Sequence, residues 1–471
     1  MKKYSIGIRR EDKNQWERRV PLVPSDIRDL IRTEPLSFVV QPSPIRVFTD
    51  REFEEAGTTV SEDLSSCDVV FGVKEMPVSF FRKDAAFVFF THVIKGQPYN
   101  MPMLRTLLET GSHLYDYEKI TDDRGQRLVF FGRHAGLAGM TDTLWALGRR
   151  LALEGIRNPF ERIRQTTAYH DLEELRAAVR EVAEVIRKDG LPAALVPFVC
   201  GITGYGNVSK GAQEILDLLP IRTVAAGDIP GPGEGSSREV VKVVFKEEDL
   251  VEPVDPSAKF DLQDYYKNPE RYRSKFERYV PKLTVLVHGT YWDARYPRIL
   301  PRPLLKRLYG GSPPRLRMIG DISCDVNGSV EGNVRCSNPG SPVYVWDVDR
   351  EEAVDGIEGR GPVILAVDNL PCELSRESSQ DFSRILKPFV GPLARADYSK
   401  PDGGLPAPLA RAMIVRAGRL TPAFEYLAPH VAAAGKAKEE PKAAAEKTPK
   451  TGKAPKAKKA PKAKKPKGGK K

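Results

Sequence analysis

The sequence predicts an α/β protein with two domains, each built around a parallel β-sheet. Three observations carry this prediction. The chain has 471 residues, which is long enough for two substantial domains. Residues 67–73 and 86–91 are short and almost entirely apolar, which is typical of parallel strands that are buried on both faces. Helical patterns alternate with such runs, as expected of a sheet that is covered by helices.

The first 120 residues contain repeated strand–helix units. Segments with the pattern of strands are residues 4–8, 37–40, 67–73, 86–91 and 113–117. Segments with the pattern of helices are residues 26–33, 50–57 and 103–109. Ser25 is a suitable N-cap for the first of these helices, and Gly57 is a suitable end for the second. The alternation predicts a three-layer domain.

Ionisable side chains follow two neighbouring strands of this predicted sheet. Lys74 comes directly after the strand at 67–73, and His92 comes directly after the strand at 86–91. Ligands of open parallel sheets collect beyond the carboxyl ends of the strands, so we expect these side chains to form an acid/base pair there. A solvated lysine or a structural histidine would explain either residue alone. Glu75 and Glu118 add carboxylates at equivalent positions.

A glycine-rich turn organises the second predicted domain. The apolar run 198–202 leads to Gly204 and Gly206, and a helical pattern follows. This layout lets backbone N–H groups and a helix N-terminus hold a dinucleotide pyrophosphate, with Asn207 and Val208 at the helix start. An ordinary strand-to-helix connection would show the same local pattern. The surrounding alternation of strands and helices favours a Rossmann-like cofactor domain.

Asp228 is the predicted ribose-binding acid of this domain. It follows a predicted strand at 222–226 and lies 22 residues beyond Gly206, near the usual spacing of about 20 residues. A simple loop aspartate fits the position equally well.

The rest of the second half contains further strand and helix patterns. The stretch 132–139 is predicted to be a bend that leads into a long helix ending at Glu154, and the bend serves either as a hinge or to allow close helix packing. The polar segment 229–282 is predicted to be an insertion. The remaining elements are a helix at 171–188, strands at 283–287, 318–322 and 363–367, and a helix at 374–389. Asp321 and Asp325 lie in a polar loop that is interpreted as bordering the cofactor, because two carboxylates are too few for a metal site.

The distribution of charge and the cysteine content limit the class of protein to which this chain can belong. The net charge of +11 comes from residues 431–471, which contain fifteen Lys and three Glu, so the body of the chain is nearly neutral. We expect this Lys/Ala/Pro-rich tail to be disordered and, at most, to bind nucleic acid nonspecifically. Five scattered cysteines indicate buried free thiols in a reducing cytoplasm. No apolar run is long enough for a membrane span, and no signal peptide is expected.

Several motifs resemble one enzyme family closely. They are residues 8–24, 72–74, 92–95, 115–118, 204–213, 268–272, 288–292 and 368–371. Together they resemble the lysine–ketoglutarate reductase half of aminoadipic semialdehyde synthase. More distantly, the chain is similar to lysine-forming saccharopine dehydrogenase, alanine dehydrogenase and the N-terminal domain of transhydrogenase. The resemblance covers residues 4 to about 428, and the tail is no part of it.

The resemblance implies an architecture and a reaction. A dinucleotide-binding domain (138–375) would be inserted in a substrate domain (1–137, completed by about 376–430). The enzyme would condense L-lysine with 2-oxoglutarate and reduce the imine with NAD(P)H to saccharopine. The resemblance assigns acid/base roles to Lys74 and His92 and carboxylate binding to Arg19. Glu75 and Glu118 would bind the lysine amine or adjust the local charge, and Asp325 would lie near the nicotinamide.

Several alternatives remain open at this stage. Animal relatives suggest NADPH, whereas Asp228 would repel a 2′-phosphate and favour NADH. A related amino acid or opine dehydrogenase would use the same scaffold on other substrates. A nucleic-acid-associated protein acting through the tail is the alternative from another class. If the tail is only an accessory to an enzyme, truncation after Pro429 should leave catalysis unchanged. The sequence predicts no metal, and the oligomeric state is not predicted.

Overall fold

A computed structural model describes residues 2–311 and 314–436. Its eighteen strands, numbered along the chain, are β1 (Tyr4–Ile8), β2 (Leu36–Val40), β3 (Thr59–Val60), β4 (Val69–Phe71), β5 (Ala86–Phe89), β6 (His113–Asp116), β7 (Phe198–Thr203), β8 (Ile221–Val224), β9 (Val240–Phe245), β10 (Val251–Pro253), β11 (Tyr272–Ser274), β12 (Val285–His288), β13 (Met318–Asp321), β14 (Val343–Asp347), β15 (Glu352–Asp355), β16 (Val363–Leu365), β17 (Met413–Arg416) and β18 (Arg419–Leu420).

Twelve α-helices connect and cover these strands in the described residues. They are α1 (Pro24–Thr33), α2 (Asp50–Glu55), α3 (Met101–Glu109), α4 (Gly132–Leu153), α5 (Leu172–Asp189), α6 (Asn207–Leu216), α7 (Glu247–Leu250), α8 (Leu262–Lys267), α9 (Arg302–Tyr309), α10 (Ser375–Ala394), α11 (Ala407–Ala412) and α12 (Ala428–Lys436). Helix α1 begins at Pro24 after Val23, so Ser25 lies inside the helix and the predicted N-cap is wrong. Proline at the first helical position replaces the cap because its missing N–H needs no partner.

Two eight-stranded sheets organise the fold, which confirms the predicted α/β class with two mostly parallel sheets. The first has the order β18-β17-β6-β5-β4-β1-β2-β3, and β1 to β6 are parallel. The antiparallel strands β17 and β18 bring the chain back to this sheet after the second sheet is complete. The predicted domain boundaries stay a prediction.

The second sheet has the order β15-β14-β16-β13-β12-β7-β9-β8. Strand β7 lies between β9 and β12 and is parallel to both, whereas β14 is antiparallel to its two neighbours. Strand β9 falls in the segment predicted to be an insertion, so that part of the prediction is wrong. Lys242 interrupts an otherwise apolar run, so the sequence pattern did not indicate a buried strand. In the structure this lysine is buried and forms a 2.6 Å ion pair with Asp217.

Helix α4 runs without interruption through the glycines that were predicted to form a bend. The alternative interpretation, close helix packing, describes the structure. A Cβ atom at Gly136 would overlap the carbonyl oxygen of Val208, and one at Gly211 would overlap the carbonyl oxygen of Arg133. Helices α4 and α6 therefore touch backbone to backbone, which fixes the helix that follows the glycine turn against the long helix.

This contact gives a testable stability prediction. Gly211→Ala is expected to lower the free energy of unfolding by about 1–3 kcal/mol, because the added methyl group forces the two helices apart. Chemical denaturation of wild type and variant measures the change. Gly227→Ala is the matched control, since no atom lies within 4 Å of a Cβ at Gly227. Equal stability of the two variants would contradict close packing of α4 on α6.

The C-terminal part of the described chain differs from the prediction. Residues from 431 onward were predicted to be disordered, but α12 continues to Lys436, Val431 is buried, and its carbonyl accepts a hydrogen bond from Arg105. Residues 437–471 lie outside the described residues, and so does most of the predicted nucleic-acid-binding tail. A truncation after Lys436 spares this packed helix, whereas one after Pro429 removes it.

The five cysteines are free, and three of them are buried: Cys67, Cys200 and Cys372. Cys336 is exposed, so the expectation of buried thiols is wrong for this residue. No helix in the described part of the chain is long and apolar enough to cross a membrane.

Candidate active site

Lys74 and His92 lie at the carboxyl edge of the first sheet. Strands β4 and β5 are parallel neighbours, so the residues that follow them emerge side by side. Glu75 connects this region: its Oε1 lies 2.7 Å from His92 Nδ1, and its Oε2 accepts a 2.8 Å hydrogen bond from Lys13 Nζ. The structure thus joins His92 to Glu75 directly and places Lys74 beside them in the chain.

The backbone holds His92 in an unusual conformation. Its φ of 49° lies in the left-handed region, which is uncommon for a residue other than glycine. The side chain of Asn100 donates to the carbonyl oxygens of Thr91 (2.9 Å) and His92 (3.3 Å), and the imidazole stacks on Phe90. These contacts stabilise the turn that presents the imidazole. Strained backbone of this kind is frequent at functional sites.

The pKa values of Glu75 and Lys74 are both lowered, but for different reasons. Burial raises the pKa of Glu75, but the hydrogen bonds from His92 and Lys13 outweigh it and hold the pKa well below its usual range. The pKa of Lys74 is lowered, first by burial and then by the positive charges of Arg19 and Lys13. The site therefore combines an ionised carboxylate with an ammonium group whose pKa is lower than that of an ordinary lysine.

Glu11 holds the backbone at Lys74, a role that was not predicted from the sequence. Its two carboxylate oxygens accept hydrogen bonds from the backbone N–H groups of Val73 (2.7 Å) and Lys74 (3.0 Å). Burial, followed by the nearby charge of Glu17, raises the pKa of Glu11 to about 7. The residue fixes the backbone from which the Lys74 side chain extends.

Arg19 and Glu118, both predicted to bind substrate, already have internal partners. Arg19 donates from Nε (2.7 Å) and Nη2 (2.5 Å) to the two oxygens of Glu17, and its guanidinium lies 4.3 Å from the Phe131 ring centroid. Only the Nη1 edge of Arg19 has no hydrogen-bond partner among the described residues. Glu118 pairs with Arg127 at 2.7 Å. Any substrate contact would use the remaining edges of these groups.

The glycine turn follows β7 as predicted. Gly204 has a φ of 83°, and a Cβ atom there would lie 2.7 Å from the Thr290 methyl group, so both conformation and space require glycine. Gly206 precedes the first residue of α6, Asn207, and supplies no side-chain cap. The N–H groups of the first helical turn are thus available to an anion, and the space beside Gly206 is open.

A cavity of about 260 Å³ adjoins this turn. Aromatic side chains form much of its wall: Tyr205, Tyr265, Tyr266, Tyr291, Trp292 and Tyr296. Glu247, two residues beyond β9, also lines it, whereas Asp228 does not. Asp228 is exposed beyond β8, the outer strand, and β9 separates that strand from β7. The structure therefore does not bring Asp228 to the glycine turn, and it places Glu247 there.

Asp325 lies in the loop after β13 and is half-buried. Burial raises the pKa of its carboxyl group, and the positive charge of Lys95 acts in the opposite direction. Lys95 follows β5 in the same loop as His92, so this interaction connects the edges of the two sheets. Asp325 is therefore near Lys95, three residues beyond His92 in the chain. No group of three or more His, Cys, Asp or Glu that could hold a metal ion is found in residues 2–311 and 314–436.

Sequence comparison identifies relatives of this chain. Alpha-aminoadipic semialdehyde synthase from Arabidopsis thaliana is 39% identical over 440 residues, which cover 90% of this chain and 41% of the relative. The mitochondrial enzyme of the same name from Mus musculus is 33% identical and is covered to 47%. The chain is a homologue of the alpha-aminoadipic semialdehyde synthases. It spans less than half the length of these relatives.

Two further comparisons extend this result. The family model of the alanine dehydrogenase/PNT N-terminal domain matches residues 7–138, which include the edge that carries Lys74 and His92. An L-alanine dehydrogenase structure superposes on 91% of the chain, and 99% of that structure is covered, with a TM-score of 0.59 and 19% identity. At this identity the likeness shows the fold alone.

A shorter relative matches along most of its length. The saccharopine dehydrogenase [NAD(+), L-lysine-forming] of Yarrowia lipolytica is 26% identical over 83% of this chain and 93% of the relative. The resemblance that the sequence motifs predicted, to aminoadipic semialdehyde synthase and to lysine-forming saccharopine dehydrogenase, is confirmed. The cytoplasmic location predicted for the present chain stays a prediction, since the relative from Mus musculus is named as mitochondrial.

Proposed function

We propose that this protein catalyses the reductive condensation of L-lysine with 2-oxoglutarate to saccharopine, with NADH or NADPH as the reductant. The observation that carries the proposal is the group at the first sheet edge. It combines a lysine of lowered pKa with an imidazole that is hydrogen-bonded to an ionised carboxylate. The names of the relatives from Arabidopsis thaliana and Yarrowia lipolytica support the choice of reaction.

The reaction needs several proton transfers. The ε-amine of lysine must lose a proton before it attacks the ketone carbon of 2-oxoglutarate. The carbinolamine then releases the one water that the reaction forms, and reduction of the protonated imine gives saccharopine and the oxidised cofactor. Positioned acids and bases accelerate such steps by about 10²–10⁴-fold.

We assign the proton transfers to the sheet-edge pair. Lys74, in its neutral form, accepts the proton of the incoming ammonium, and His92 donates a proton to the departing hydroxyl. Glu75 keeps the imidazole oriented through its 2.7 Å contact. The Nη1 edge of Arg19 is the proposed contact for a substrate carboxylate, and Glu118 is proposed to face the amino group of lysine.

The glycine turn is the proposed cofactor site. Gly204, Gly206, Asn207 and Val208 would hold the pyrophosphate at the N-terminus of α6. Asp325 is proposed to border the nicotinamide. When bound, the reduced nicotinamide supplies a hydride.

An absorbance assay of cofactor oxidation tests the proposal. Oxidation should require lysine and 2-oxoglutarate together, and either substrate alone should give none. Ornithine or ammonia in place of lysine, and pyruvate in place of 2-oxoglutarate, test the alternative of a related amino acid dehydrogenase. Faster oxidation with any of these substitutes would contradict the assigned substrates.

Lys13 provides a test of the pKa of Lys74. Its positive charge lowers the pKa of Lys74, and it also holds the Glu75 carboxylate. Lys13→Met removes that charge, which favours protonated Lys74 and raises its pKa. The ascending limb of the pH profile of kcat, which reports deprotonation of the base, is therefore expected at higher pH. Lys188→Met, on the exposed face of α5, should leave the limb in place. A limb that moves to lower pH would contradict the role of Lys74.

A further inference from the structure

We propose that Glu247, held by Tyr266, makes this protein select NADH over NADPH. The inference rests on the proposed function only in that the glycine turn binds a dinucleotide. It assigns to Glu247 the role that residue spacing in the sequence had suggested for Asp228.

The position of Glu247 follows from the order of the strands. Strand β9 pairs directly with β7, with Thr203 opposite Phe245. Immediately beyond this pair, the N–H of Gly204 donates a 2.9 Å hydrogen bond to the carbonyl oxygen of Phe245. Glu247 is two residues further along and lines the cavity beside the turn. In dinucleotide-binding folds, the acidic residue beyond the strand next to the first one binds the hydroxyls of the adenosine ribose.

The carboxylate of Glu247 is oriented and partly free. Its Oε1 accepts a 2.7 Å hydrogen bond from the phenol of Tyr266. Burial and the neighbouring Glu247 raise the pKa of Tyr266, so the phenol keeps its proton and remains the donor. The other oxygen, Oε2, accepts no hydrogen bond from any described residue. A ribose diol can donate to that oxygen, whereas a 2′-phosphate can only repel it.

The charge of the cavity points the same way. None of the described residues that line it is a lysine or an arginine. Recognition of NADP(H) ordinarily uses such a cation at the 2′-phosphate. Lys246 is adjacent in sequence, but it is exposed and lines a neighbouring cleft with Glu247 and Glu248. A 2′-phosphate in the cavity would meet the Glu247 carboxylate without a compensating charge.

Direct titration of NADH and NADPH, followed by nicotinamide fluorescence in the absence of lysine and 2-oxoglutarate, tests the inference. The intact protein should bind NADH more tightly by about tenfold or more, the size of effect expected of one like-charge contact. Glu247→Ser should weaken NADH binding and strengthen NADPH binding, so that the ratio falls by at least about tenfold. Melting temperatures verify that each variant is folded.

Two matched variants complete the experiment. Asp228→Ser removes the acid predicted from sequence, and Lys246→Ala removes the adjacent cation; both should leave the NADH/NADPH ratio unchanged. Equal binding of the two cofactors by the intact protein would overturn the inference. So would an unchanged ratio in Glu247→Ser, or a changed one in Asp228→Ser. The expected ratio without lysine-dependent oxidation would support Glu247 and contradict the proposed function instead.

Discussion

Lys74→Met is expected to lower kcat by about 10²–10⁴-fold, the usual contribution of a positioned acid or base. Methionine fills a similar volume but cannot exchange a proton, so the amine of the substrate would lose its acceptor. Binding of the reduced cofactor should remain, because the glycine turn lies on the second sheet. Stopped-flow or steady-state oxidation of the cofactor measures the first effect, and fluorescence titration measures the second. His92→Gln should lower turnover in the same way.

A matched lysine variant separates catalysis from structure. Lys83→Met changes an exposed lysine that precedes β5, at the opposite edge of the same sheet. Its turnover is expected to equal that of the intact protein. Normal turnover in both Lys74→Met and His92→Gln would reject the acid/base assignment.

Glu17→Ala is expected to lower the free energy of unfolding by about 3–5 kcal/mol, because it leaves the buried Arg19 cation without its partner. Both side chains are almost fully buried, with exposed fractions of 2% for Arg19 and 0% for Glu17. Burial raises the pKa of Glu17, but the charge and hydrogen bonds of Arg19 outweigh it and lower the pKa below its usual 4.5. The stabilisation is therefore present above pH 4.5 and is lost as the pH falls through the folded pKa.

Chemical denaturation at neutral pH measures this loss, and an exposed ion pair provides the control. Glu277 pairs with Arg307 at 2.7 Å, and both side chains are more than half exposed. Glu277→Ala should change stability by about 0–1 kcal/mol. A similar loss of unfolding free energy in the two variants would contradict the larger stability effect expected from burial of the Glu17–Arg19 pair.

The positions of Lys74 and His92 at the sheet edge could be predicted from the sequence because the pattern that indicates them is local. Each apolar run ends directly before an ionisable residue, and parallel strands that follow one another in the chain commonly pair. Strands β4 and β5 do pair, so Lys74 and His92 reach the same edge. The glycine turn was accessible for the same reason, since strand, glycines and helix follow without interruption.

Strand order in the second sheet could not be predicted in this way. The chain passes from β7 to the outer strand β8 and then returns to β9 between them. Counting residues from Gly206 therefore led to Asp228, whereas the neighbouring strand leads to Glu247. Lys242 in the middle of β9 also hid the strand, because its burial depends on Asp217 in a different element.

The supporting carboxylates were missed for a related reason. Glu11 and Glu17 lie in a highly charged segment that reads as a solvated loop. Their burial is a consequence of tertiary contacts, with the backbone after β4 for Glu11 and with Arg19 for Glu17. Nothing in the local pattern distinguishes them from the exposed acids around them.

Transfer of deuterium from a reduced nicotinamide labelled at C4 tests the central claim most directly. The protein is incubated with lysine, 2-oxoglutarate and the labelled cofactor, and the products are analysed by mass spectrometry. The proposed function predicts a single adduct of lysine and 2-oxoglutarate, formed with loss of water, that carries one deuterium at the former ketone carbon. Oxidation of the cofactor with the label in glutamate, or with no lysine adduct, would contradict it.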